Sequence, residues 1–130
     1  MSAVADSVLD ASALLAVLLG EPGASVVEPL LGAAAISAVN WAEVLQRFEA
    51  HGVGIEGKRE DVAALGIEVM DFTADDATVA ARLREPTRAL GLSLADRACL
   101  ALAARLDVAA YTADRTWAAL AIGTKIVLIR

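Results

Sequence analysis

LSLADRACLALAARLDVAAYTAD, residues 92–114, is the stretch whose reading decides the fold. Ser93 followed three residues later by Asp96 has capping-box spacing, and the apolar run behind it predicts a helix over 94–106. Residues 108–112 then read as a short strand, and Asp114 follows that strand. The same alternation extends in both directions. Further strands are expected at 7–10, 34–37, 67–72 and 125–129, with helical stretches near 13–19, 25–31, 38–50, 56–65, 75–90 and 115–120. Strands joined by helical connections of this length indicate an α/β fold, a mostly parallel sheet of about five strands with helices on both faces.

Local signals mark several boundaries. Pro22-Gly23 is expected to end the first helix and Gly32 the second, and Thr73 with Asp76 has capping-box spacing. Pro86 should kink or split its helical stretch near Glu85, because proline removes a backbone donor. Gly91 breaks the chain before Ser93. No repeat, low-complexity segment or linker interrupts the 130 residues, so a single domain over 1–130 is expected, long enough to bury roughly two-thirds of its unfolded surface.

Composition narrows the function classes. The apolar fraction is 58% and the mean hydropathy +0.60, high enough to require that a membrane segment be considered. The longest uncharged run, 29–42, has 14 residues and contains Pro29, Gly32, Ser37 and Asn40. A spanning helix needs about 20. No basic residue precedes Asp6 and Asp10, so the N-terminus does not read as a signal peptide, and a cytoplasmic location is expected. Cys99 and His51 are each the single residue of their type. That rules out an internal disulfide and histidine- or cysteine-rich metal sites. His51 follows a helix and reads as a solvated helix-end residue. A net charge of −6 argues against a nucleic-acid coat protein, but not against a nuclease that meets phosphates through metal ions and a few arginines.

Open parallel sheets bind ligands at the carboxyl ends of their strands. Asp10 closes the first strand in SVLDAS, and Asp114 follows the fourth in AYTAD. Glu43 in ISAVNWAEVL and Asp96 in LSLADRACL lie on helices able to face the same edge. Each has a plain structural alternative: Asp10, Asp96 and Asp114 as caps, and Glu43 as a partner for Arg47 four residues on. A cap contributes about 1 kcal/mol. Two carboxylates about 4 Å apart repel by roughly 4 kcal/mol at an effective dielectric near 20. Were the four to cluster, a shared proton or a bound cation would have to offset that repulsion. An oxygen-only site suits Mg²⁺ or Mn²⁺.

With SVLDASALLAVLLGEPG, ISAVNWAEVL, LGLSLADRACLALA and YTADRTW in order, the chain resembles the PIN-domain ribonucleases, and in particular the VapC toxins of bacterial type II toxin–antitoxin pairs. The resemblance covers nearly the whole chain. It implies a PIN-like three-layer fold and a metal-dependent endoribonuclease that leaves a 5′-phosphate and a 3′-hydroxyl. It further implies that Asp10, Glu43, Asp96 and Asp114 are the catalytic, metal-binding acids, with Mg²⁺ or Mn²⁺ as cofactor. Ser12 and Thr112 match polar positions that orient carboxylates or the attacking water, and Asn40 matches one a turn before Glu43. Ala11 departs from the family's pattern, which commonly has a hydroxyl residue after the first acid. Partners implied are an RNA substrate, a cognate antitoxin held in an apolar groove, and a second copy in a homodimer; the helical stretches 13–19 and 25–31 are where that groove is expected.

Arg97 and Arg115 adjoin acidic motifs and are candidates for phosphate contacts, whereas Arg82, Arg84 and Arg88 read as a solvated face. Trp41, Val44, Leu45 and Phe48 share helical spacing and suggest a buried face or a dimer contact. Trp117 and Cys99 read as core. Two other functions fit the same length and acids. One is a receiver-like phosphotransfer domain, although Lys125 begins its strand rather than ending it; the other is an RNA-processing nuclease without an antitoxin.

Overall fold

Leu9, Ala34 and Ile36 belong to one hydrophobic cluster and Val8 and Ala35 to another, the period-two alternation of strands buried on both faces. The computed structural model describes residues 4–130. Strands β1 (Ser7–Leu9), β2 (Ala34–Ser37), β3 (Ile67–Met70), β4 (Ala109–Thr112) and β5 (Ile126–Leu128) form one parallel sheet in the order β3-β2-β1-β4-β5. Ser7 pairs with Ala34 on one side and Ala109 on the other, so the carboxyl ends of the three central strands share one edge. A receiver-type sheet has the order 2-1-3-4-5. The order observed overturns that alternative.

Four helices cover one face: α1 (Ala11–Leu19), α2 (Ala24–Val27), α3 (Ala38–Ala50) and α4 (Lys58–Ala64). The connection from β3 to β4 contains α5 (Ala74–Arg82), α6 (Arg84–Thr87) and α7 (Leu94–Leu106). Helix α7 packs on β1, β2 and β4 and is flanked by α3 and α5. Neighbours on several sides explain why all six residues from Ala98 to Ala103 are buried. Arg105 ties α7 to α5 through a bidentate pair with buried Asp76, Nε to Oδ1 at 3.0 Å and Nη2 to Oδ2 at 3.1 Å. Asp76 also closes the expected capping box with Thr73.

The expected spans of α3 and α7 match the structure. Elsewhere several ends shift by one or two residues, and three larger differences have a local cause or form. The helix begun at Ala74 stops at Arg82, three residues before the break expected near Glu85, because the ring of Pro86 opposes the carbonyl four residues back. The second helical stretch is a four-residue α2, followed by a 3-10 segment (Glu28–Ala33) that opens around Pro29 and runs through Gly32 instead of ending there. Residues Arg115–Ala119 form a 3-10 turn. Among the described residues no single helix is long and apolar enough to cross a membrane; α1 and the 24–33 stretch meet at 106°.

Trp41, Val44 and Phe48 are buried against the α1–α4 face of the sheet, so their spacing marks core. Trp117 and Cys99 are buried in the opposite cluster. His51 ends α3 as an exposed residue, its Nδ1 2.8 Å from the Arg47 carbonyl. Arg82, Arg84 and Arg88 are exposed.

Candidate active site

Strand β1 ends where Asp10 caps α1, its Oδ1 accepting from the Ala13 amide at 2.9 Å. Two hydroxyls complete its surroundings. Ser12 Oγ donates to Oδ1 at 2.6 Å, and Thr112 Oγ1, from the end of β4, donates to Oδ2 at 2.5 Å. Burial pushes the Asp10 carboxyl above the ordinary range, the three hydrogen bonds oppose that, and the charge of Asp96 adds to it. Thr112 also accepts from the Asp114 amide at 3.0 Å, while Ser12 accepts from the Ala113 amide at 2.9 Å. The two hydroxyls thus lock the ends of β1 and β4 together around one carboxylate.

Helix α3 starts at the end of β2 and presents Glu43 one turn later. Asn40, 1% exposed, donates through Nδ2 to Glu43 Oε1 at 3.2 Å and to the Ala95 carbonyl of α7 at 3.0 Å. Burial raises the Glu43 carboxyl; Asn40 opposes the rise, and the charges of Asp96 and Asp10 add to it. Asp96 lies in the first turn of α7, where Oδ2 accepts from the Ser93 amide at 2.9 Å in a complete capping box. Asp114 caps the 3-10 turn, with Oδ1 accepting from the Thr116 amide at 3.0 Å and from its hydroxyl at 2.7 Å.

Asp10, Glu43, Asp96 and Asp114 all line one cavity of about 600 Å³, together with Ser12, Glu21, Gln46, Arg47 and Arg130. The buried Cys99 thiol registers the same convergence. Burial pushes it up, and the charges of Asp10, Asp96 and Glu43 all push the same way. The caps therefore do not stand in for the cluster. They aim it, because a cap employs one face of a carboxylate and leaves lone pairs on the other.

The two arginines expected to contact phosphates lie outside this cavity's lining. Arg97 turns toward α5 and donates through Nη1 to the Ala80 carbonyl at 2.8 Å, and Arg115 is exposed outside the lining. Glu43 does not pair with Arg47, which bonds Glu21 at 3.3 Å instead. Glu21, Gln46, Arg47 and Arg130 were missed as lining residues. Helical spacing from Glu43 would have found Gln46 and Arg47; nothing local marks Glu21 or Arg130.

The donor set is all oxygen, which fits a hard divalent cation. Among the described residues no three His, Cys, Asp or Glu side chains converge tightly enough to enclose an ion by themselves. A hard divalent cation there would be met by a few of these carboxylates and would keep several waters.

A parallel sheet that delivers four acids to its carboxyl edge defines an α/β protein with an acidic, oxygen-lined cleft. The family model of the PIN domain matches residues 7–123, and the chain belongs to that family, a family of nucleases. Similar solved structures include a toxin–antitoxin complex from Klebsiella pneumoniae (21% identity, covering 95% of this chain and 98% of that one, TM-score 0.75). A DNA-bound VapBC from Salmonella typhimurium is similar over 98% of this chain and 100% of that one (16% identity, TM-score 0.71). FitAcB from Neisseria gonorrhoeae is similar over 95% and 97% (20% identity, TM-score 0.66). At these identities the likeness speaks for the fold. Among curated proteins, none matches this chain.

Proposed function

We propose that this chain is a Mg²⁺- or Mn²⁺-dependent endoribonuclease and the toxin of a type II toxin–antitoxin pair. The observation that carries the reading is the convergence of Asp10, Glu43, Asp96 and Asp114, from four separate elements, on one cavity where three of them repel one another. Asp10 and Asp96 would hold the ion directly, with Asp114 and Glu43 binding directly or through water. A bound divalent ion supplies a water of lowered pKa and neutralises charge developing on the phosphate. The chain's own part is positioning. Ser12 and Thr112 fix Asp10, Asn40 fixes Glu43 against α7, and the Ser93 capping box fixes Asp96. No side-chain nucleophile is assigned, because His51 and Cys99 both stand apart from the cavity lining.

An antitoxin segment would lie on α1 and α2, where Leu19 and Val26 are 41% and 40% exposed. Protection of these helices from hydrogen exchange should rise on antitoxin binding; unchanged protection would count against that surface. We read the chain as one domain, cytoplasmic, and a homodimer, the last checked by light scattering. The test of the activity is cleavage of single-stranded RNA with Mg²⁺ or Mn²⁺ by the native chain, Asp10→Asn and Asp96→Asn. Cleavage by the native chain alone, abolished by EDTA, is the expected result. Equal cleavage by all three would remove the assignment.

A further inference from the structure

The cavity that holds the acids also holds two cations, and the hydrolysis above uses neither. Arg47 comes from the last turn of α3, and Arg130 follows β5. Both are exposed, and both are anchored on the same turn after α1. Arg47 Nη2 donates to Glu21 Oε2 at 3.3 Å, and Arg130 Nη1 donates to the Pro22 carbonyl at 2.7 Å. Gly23 completes the seat. Its φ is +97°, and a Cβ there would stand 2.7 Å from the Ile129 carbonyl oxygen and 2.8 Å from Ile129 Cγ1. The backbone leading into Arg130 therefore packs directly on a residue that has no room for a side chain, which fixes where Arg130 emerges.

Each anchor occupies one nitrogen of a guanidinium that carries five N–H donors in a planar fork. Among the described residues the rest of each fork has no partner and is open to an acceptor that offers two oxygens, such as a phosphate. Glu21 has a second effect. By holding Arg47 it keeps that charge from its helical neighbour Glu43, four residues earlier, where pairing would neutralise both. A polyanionic strand entering this cleft meets Asp10, Glu21, Glu43, Asp96 and Asp114, and the two arginines are the cations among the lining residues.

We propose that Arg47 and Arg130, seated on the 21–23 turn, form a phosphate clamp that receives the RNA backbone beside the scissile phosphodiester. The clamp rests on the ribonuclease reading above. It replaces Arg97 and Arg115 as the phosphate contacts. Both residues act as positioning residues: they hold the strand in register with the acids and take no part in the bond cleaved.

The test is fluorescence anisotropy of a short labelled single-stranded RNA, titrated with native chain, Arg47→Gln, Arg130→Gln and Arg88→Gln in EDTA over a range of salt. Circular dichroism confirms that each variant is folded. Loss of one phosphate contact lowers the slope of log affinity against log salt by about 0.7 for a single strand. Arg47→Gln and Arg130→Gln should each do so, and Arg88→Gln should match the native slope. Native slopes in both cavity variants, or an equal loss in Arg88→Gln, would overturn the clamp. RNA cleavage by the native chain tells the two readings apart. Cleavage with unchanged slopes removes the clamp alone, whereas a native chain that neither binds nor cleaves RNA removes both.

Discussion

Replacing Thr112 by Val removes one hydroxyl from a site that is 0% exposed and keeps the shape. The hydroxyl donates to Asp10 Oδ2 at 2.5 Å, and a hydrogen bond to a charged group contributes about 1.5–3 kcal/mol. The amide of Asp114 loses its acceptor too, but Asp114 is exposed and water can replace it. The pH dependence separates this effect from simple packing loss. Burial already holds the Asp10 carboxyl above the ordinary range, so the native state binds more protons than the unfolded chain between the two values, and stability falls as pH rises through that window. Without the Thr112 donor the native carboxyl moves further up, and the variant goes on losing stability at pH values where the native protein has levelled off. The gap between the two proteins is smallest in acid, where Asp10 is protonated in both. It widens to about 1.5–3 kcal/mol once both are ionised, roughly 5–15 °C in melting temperature for a chain of this length. Thermal unfolding followed by circular dichroism in EDTA, from about pH 4 to about pH 8, reads it. Thr112→Ser should restore most of the difference. A gap that does not change with pH would refute the hydrogen-bond argument.

Three further outcomes follow from the structure. Gly23→Ala combines left-handed backbone strain of about 1–2 kcal/mol with a clash on Ile129, whereas Gly20→Ala, with open space around it, carries the strain alone. Chemical denaturation should therefore show Gly23→Ala to be the more destabilised by at least about 1 kcal/mol. Asn40→Leu frees Glu43 from α7 and should lower kcat about tenfold or more with little change in KM; an unchanged kcat would show that Glu43 needs no such support. Asp76→Ala strips Arg105 of a buried bidentate partner and breaks the Thr73 capping box. It should cost about 3 kcal/mol, against less than about 0.5 kcal/mol for Glu85→Ala in the exposed pair with Arg88.

Much of the fold was legible because its signals are local. Helix α7 announces itself through Ser93, Asp96 and an apolar run, and α3 through the spacing of Trp41, Val44 and Phe48. Pro86 gave its break in the right neighbourhood but three residues late, since the ring acts on the carbonyl one turn back. Asp10, Asp96 and Asp114 were legible as strand-end and helix-start residues and Glu43 as a helix residue able to face the same edge, but their meeting was not. It depends on the strand order, which joins Asp10 to Thr112 across 102 positions of sequence. The arginines show the same limit. Arg97 sits beside Asp96 in sequence, yet one step along a helix turns its side chain toward α5. Arg130 reaches the cleft only because β5 pairs with β4 and runs past Gly23.

Thermal unfolding of the native chain against a Mn²⁺ titration tests, without any substrate, the proposal that the acids together hold a divalent metal. An ion bound only by the folded state stabilises by about 2.7 kcal/mol at a hundred times its dissociation constant. The expected result is a saturable rise in melting temperature for the native chain, lost in Asp10→Asn and in Asp96→Asn. A rise of equal size in those two variants, or no rise in the native chain, would contradict it.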